Sequence, residues 1–212
     1  MFTDRTDAGK ILARALINYK NKDVLVLAIP RGGVEVAYEV AKFLNADLDL
    51  IVSRKLPLPY NREAGFGAIA EDGSTFIFKD AYNWLDENEI ERIKKEQKDE
   101  IKRRIKILRE GRPLSEIKDR IVILIDDGLA MGSTMRAAIN LCKEKKAKKI
   151  IVAVPVAGTD VAGEIREIVD ELVVLEMPAF FQAVAQVYVN WHDATDSEVI
   201  EILKKFKKES KN

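Results

Sequence analysis

The chain has 212 residues, 47% of them hydrophobic, and its 35 Lys and Arg balance 35 Asp and Glu. That length suits one well-buried domain, and the absence of net charge argues against a protein built mainly to bind nucleic acid by charge. The single Cys142 excludes an intrachain disulfide, MFTDRTDAGK lacks a signal-peptide core, and no apolar run reaches the roughly 18 residues of a membrane span, so a cytoplasmic protein without a membrane partner is expected.

Asp7 to Tyr19 carries apolar residues at helical spacing. Val24 to Ile29 is a continuous apolar run, which reads as a strand buried on both faces, and Pro30-Arg31-Gly32-Gly33 stops it. Val34 to Leu44 reads as a helix and Leu48 to Val52 as a second strand. Residues 53–73, rich in Pro and Gly, read as a long irregular connection, part of which could pair as a hairpin around Glu71-Asp72-Gly73. Asp86 to Arg112 is a long charged helix. Its narrow apolar stripe, Ile90, Ile93, Ile101, Ile105 and Leu108, has two candidate partners, the core or a second chain.

Residues 121–136, IVILIDDGLAMGSTMR, are the most informative stretch. An apolar strand ends on Asp126 and Asp127, a loop of small residues follows, and a helix begins near Ser133. The carboxylates can accept hydrogen bonds from vicinal hydroxyls or approach a metal. The loop Ala130, Met131, Gly132, Ser133 and Thr134 can offer N–H groups and hydroxyls to a phosphate at a helix N-terminus. Ile150 to Val156 and Leu172 to Leu175 read as further strands, with a helix over Asp160 to Val169 between them. The tail from Pro178 is aromatic, then helical. Alternating strands and helices predict an α/β fold: a mostly parallel five-stranded sheet with helices on both faces.

In such sheets ligands collect at the C-terminal ends of the strands. Three unusual loops lie there: the first holds Arg31, Gly32 and Gly33, the second starts at Ser53-Arg54-Lys55, and the third at Asp126-Asp127. A ligand with phosphate at two places and hydroxyls between them would match all three.

The segment LIDDGLAMGST resembles the signature of the type I phosphoribosyltransferases, and PRGG, RKL and DDGLA-GSTMRAA resemble a subgroup whose acceptor is unassigned. The resemblance implies a single phosphoribosyltransferase-like domain over residues 1–212, with a flap at about 53–78 and a small C-terminal hood at about 176–212. It implies magnesium-dependent transfer of a phosphoribosyl group from phosphoribosyl pyrophosphate (PRPP) to a nitrogenous acceptor, such as a nucleobase. Asp126 and Asp127 would then serve the ribose hydroxyls and the charged centre that develops. Residues 130–134 would hold the 5-phosphate; Arg31, Gly32 and Gly33, with Arg54 or Lys55, would hold the pyrophosphate. Magnesium would bind mainly through ligand oxygens, with Asp126 and Asp127 as candidate protein ligands. Phe180 or Phe181 could stack on the acceptor or simply cap the core. Family members are commonly dimers. The 6-oxopurine salvage enzymes carry Asp where Ala130 stands, which disfavours those purines as acceptors; Glu63 and Glu71 are the alternative bases in the flap.

Two rivals stay open at this point. One is a PRPP-sensing regulator with little or no transferase activity. The other, a phosphate-binding hydrolase, lacks a nucleophile motif.

Overall fold

A computed structural model describes residues 1–209, so the last three positions of the expected hood lie outside the described residues. Along the chain run α1 (Arg5–Ala15), β1 (Val24–Ala28), α2 (Gly33–Leu44), β2 (Asp47–Leu50), β3 (Ser53–Leu58), β4 (Asn61–Ala70), β5 (Thr75–Ile77), α3 (Glu87–Leu108), β6 (Ile121–Ile125), α4 (Ser133–Glu144), β7 (Lys149–Val156), α5 (Thr159–Arg166), β8 (Glu171–Glu176) and α6 (Asp196–Glu209). No helix among the described residues is long and apolar enough to cross a membrane.

The expected five-stranded sheet is present. Its order is β2-β1-β6-β7-β8 and every pairing is parallel. Every residue of β1 is buried, as its continuous apolar run requires for a strand covered on both faces. One face packs under α4 and α5 around Leu25, Leu27, Leu124, Val152 and Val154. The other packs under α1, α2 and α6 around Val26, Ala28, Ile123, Ile125 and Ile151. Burying each of these larger aliphatic side chains contributes about 1.5–3 kcal/mol relative to exposure.

Residues 53–73 differ from the sequence expectation. Most of them form a hairpin, β3 against β4, with register shifts around Pro57, and β5 joins as expected, with Ala68 opposite Phe76 and Ile69 opposite Thr75. The prolines and glycines serve the strands rather than interrupt them. Pro57 sits at a register shift in the ladder, where the lack of an N–H is tolerated. Gly67 allows β5 to approach, because a Cβ there would lie 2.1 Å from the Phe76 carbonyl oxygen.

This second sheet also accounts for the stripe of α3. Ile90, Ile93 and Ile101 pack on Val52, Leu56, Phe66 and Ile69, with Ile105 at the margin, so the core takes the stripe. The outer face of α3 carries charge pairs, and Glu100, bonded to Arg103 and Arg104, is held down at about 2 chiefly by the Arg103 hydrogen bond. At the end of α3 the buried Arg109 donates to the Leu50 carbonyl at 3.0 Å and to Glu71, which also accepts the Val52 N–H at 3.0 Å. This pair ties α3 to both sheets. Burial raises the Glu71 carboxyl, and Arg109 pulls it back only in part.

Removing one partner of such a pair leaves a buried charge alone. Arg109→Met is therefore expected to lower the unfolding free energy by about 3–5 kcal/mol. Lys102→Met, which removes an exposed pair with Asp99, should leave the urea midpoint unchanged.

Candidate functional site

The helix starts divide into two kinds. Asp4 caps α1 by accepting from the Asp7 N–H at 2.8 Å, and Asp86 caps α3 by accepting from the Glu89 N–H at 2.8 Å. Before α6, Thr195 and Glu198 cap one another reciprocally. The helices that follow β1, β6 and β7 begin at Gly32, Gly132 and Gly158 and have no side-chain cap. No side chain among the described residues takes their first N–H groups, although in α2 the Val34 N–H donates to the Arg31 carbonyl at 3.1 Å; uncapped starts of this kind can receive an anion.

β1 and β6 pair in parallel with Ala28 opposite Ile125, so the loops that leave them start at the same level. Arg31-Gly32-Gly33 thereby meets Asp126-Asp127. The contact is close: a Cβ on Gly32 would lie 1.9 Å from Asp127 Oδ2, and one on Gly33 would lie 2.8 Å from the Asp126 Cα. The Pro30-Arg31 peptide is cis. Asp126 and Asp127 are both partly buried. Asp126 Oδ1 accepts its neighbour's N–H at 2.9 Å, and Asp127 Oδ2 accepts from Arg5 Nε at 2.8 Å. Loss of water, then the charge of Asp127, pushes the Asp126 carboxyl well above the usual range, and Arg5 opposes that push.

In the loop that follows, Ala130 and Met131 are exposed while Ser133 and Thr134 are half-buried at the start of α4. Gly132 has φ +69°, and a Cβ there would lie 2.9 Å from Val161 Cγ1, so both conformation and space call for glycine.

The cations are less uniform. Arg31 faces Asp196 at 3.8 Å. Arg54 Nε donates to Gln97 Oε1 of α3 at 3.3 Å, and its guanidinium is lowered by burial and then by the nearby charges of Arg104, Arg103 and Arg31. Lys55 follows Arg54 in a strand and so points to the opposite face, where its ammonium is bonded to the Glu63 carbonyl across the hairpin. The structure thus groups Arg54 with Arg31 and sets Lys55 apart. It also removes Glu71 as a free base, since its two oxygens are taken by Val52 and Arg109.

At the other side, Phe180 is 86% exposed, whereas Phe181 packs with Phe2, Val156, Val187 and Tyr188. The segment after Val184 contributes residues that the sequence reading passed over. Tyr188 donates to the Asp127 carbonyl at 2.7 Å. His192 accepts from Arg5 Nη1 at 2.9 Å through its carbonyl, and its ring lies 3.1 Å from Glu198. Arg5 itself was also missed. The available signal was a cation in the first turn of a helix, where the dipole disfavours it.

No group of three or more His, Cys, Asp or Glu among the described residues could hold a metal by itself. Asp126 and Asp127 each keep one oxygen that no protein N–H or cation engages among the described residues. Such a set suits Mg²⁺, which commonly takes one or two carboxylates and completes its shell with phosphate and water oxygens.

The model of the phosphoribosyl transferase domain matches residues 5–190. The chain belongs to the phosphoribosyl transferase family. The chain is 40% identical over 205 residues to a Mycobacterium tuberculosis H37Rv protein named "Putative phosphoribosyl transferase Rv0571c"; the match covers 96% of this chain and 46% of that protein. It therefore spans about half the length of the curated relatives it matches. TT1426 from Thermus thermophilus superposes with a TM-score of 0.82 at 36% identity, covering 97% of this chain and 98% of that one. The AQ2163 protein from Aquifex aeolicus, 14% identical with a TM-score of 0.51 over 82% of this chain and 74% of its own, shares the fold.

Gly132→Ala should cost about 1–2 kcal/mol from the left-handed backbone alone. The contact with Val161 adds to that, and urea unfolding would read the sum.

Proposed function

We propose that this phosphoribosyltransferase moves the 5-phosphoribosyl group of PRPP to a nitrogenous acceptor, releasing pyrophosphate, and that the described chain works as one unit. In this reading the second sheet is the flap and residues from 176 onward form the hood. One observation carries the reading: a partly buried carboxylate pair lies against a glycine loop, between two helix starts that have no side-chain cap. A sugar bearing phosphate at two positions fits that arrangement.

The N–H groups of residues 130–134 and the hydroxyls of Ser133 and Thr134 bind the 5-phosphate. The free oxygens of Asp126 and Asp127 accept from the ribose hydroxyls, and their charge favours the cationic sugar centre as the leaving group departs. Gly32 and Gly33 offer N–H groups to the pyrophosphate, with Arg31 and Arg54 as its cations. Lys55 joins them only if it leaves Glu63. Asp126 and Asp127 would help to hold Mg²⁺, which when bound would supply neutralising charge for the pyrophosphate. The acceptor approaches from the hood side, where the exposed ring of Phe180 can stack on a planar base. Most of the rate then comes from fixed geometry and charge.

Titration calorimetry with PRPP should show binding that is lost when EDTA removes magnesium. Gly32→Ala, which forces Asp127 aside, should weaken that binding by about tenfold or more. Pyrophosphate release across a panel of nucleobases and related nitrogen compounds tests transfer. Turnover with any acceptor supports the transferase, and tight PRPP binding without turnover supports a sensing regulator instead.

A further inference from the structure

Arg5 is the first residue of α1, yet its side chain is only 4% exposed. Its guanidinium is held on several sides. Nε donates to Asp127 Oδ2 at 2.8 Å, Nη1 to the His192 carbonyl at 2.9 Å and to Glu35 Oε1 at 3.4 Å, and the plane lies 4.0 Å from the centre of the Trp191 ring. A Cβ on Gly32 would meet both Asp127 Oδ2 at 1.9 Å and Arg5 Nε at 2.9 Å. Arg5, Asp127 and the turn at Gly32 therefore touch one another at one point.

Tethering of the N-terminal segment does not account for this arrangement. That segment is already held by backbone bonds from Phe2 N to the Val187 carbonyl, from Val189 N to the Phe2 carbonyl and from Asn190 N to the Thr3 carbonyl. Benefit to α1 does not account for it either, since a cation in the first turn opposes the helix dipole. What the side chain does alone is join Asp127, the second carboxylate after β6, to Glu35 in the first turn of α2, just beyond the glycine loop that follows β1. A planar fork suits that task because it fixes direction as well as charge.

We propose that Arg5 is the positioning residue of the donor site. It holds Asp127 against Gly32, so that the ribose carboxylate and the pyrophosphate turn are set in one arrangement before the donor binds. The proposal rests on the reading of that site as a PRPP site.

Calorimetry with PRPP and magnesium on the wild-type chain comes first; no binding there defeats the underlying reading and the proposal with it. Given wild-type binding, Arg5→Met should weaken it by roughly tenfold to a hundredfold, the usual effect of losing a group that orients a ligand contact. Asp127→Asn and the double variant complete a cycle, with urea midpoints recorded for each. If Arg5 acts through Asp127, the loss from Arg5→Met shrinks in the Asp127→Asn background. Full additivity, or a loss of affinity that merely tracks stability, overturns the proposal. Should Arg5→Met fail to fold, Arg5→Lys decides. It keeps the charge but cannot span Asp127, Glu35 and the His192 carbonyl, so weakened binding in a folded protein supports positioning and wild-type affinity refutes it.

Discussion

Two carboxylates in succession at the mouth of a buried strand repel one another and lose water together. Two unit charges about 4 Å apart near a protein surface interact by about 4 kcal/mol. The Asp126 carboxyl is pushed up first by loss of water and then by the charge of Asp127. Much of the surrounding architecture answers this one problem. Arg5 brings a countercharge, and the N–H of Asp127 turns onto Asp126. Two helices point uncapped starts toward the same edge. A ligand with a sugar diol, two phosphate groups and magnesium would complete the compensation that the protein leaves unfinished.

The sheet makes the encounter possible. Because β1 and β6 are neighbours in parallel register, their loops emerge side by side even though 92 positions of chain separate Gly33 from Ile125. The intervening chain forms the second sheet and α3, and the Arg109–Glu71 pair pins that excursion back onto β2. Arg54 is delivered from its first strand to a position beside α3 and within electrostatic reach of Arg31. On the proposed reading, the excursion that looked like an interruption in sequence supplies Arg54 as a second cation for the site.

The parallel sheet was legible because its central strands β1, β6 and β7 are apolar runs that end on Gly- or Asp-bearing loops, a local pattern. The β3–β4 hairpin was not. Gly65 and Gly67 read as breakers in sequence, whereas in the fold they make room for Lys55 and for the Phe76 backbone, neighbours that no local window contains. Arg5 was hidden for a related reason, since its partner Asp127 lies 122 positions away. The part played by His192 falls to its backbone carbonyl, which side-chain reasoning cannot find at all. Phe180 and Phe181, one aromatic pair in sequence, were separated only by seeing which ring packs against Phe2, Val156 and Tyr188.

These features leave the two sides of the proposed site unlike in construction. The donor side is made of backbone N–H groups, glycines with no room for a Cβ, and carboxylates locked by a buried cation. Few substitutions there can leave the fold undisturbed. The other side presents Ala130, Met131 and Phe180, all exposed and carrying little of the packing. Side chains of that kind can change without cost to the core, so acceptor choice can vary among proteins that keep one donor site. On the proposed reading, DDGLAMGST speaks to what is donated through the backbone geometry it encodes, and only through Ala130 to what is received, which rests on replaceable side chains placed around it.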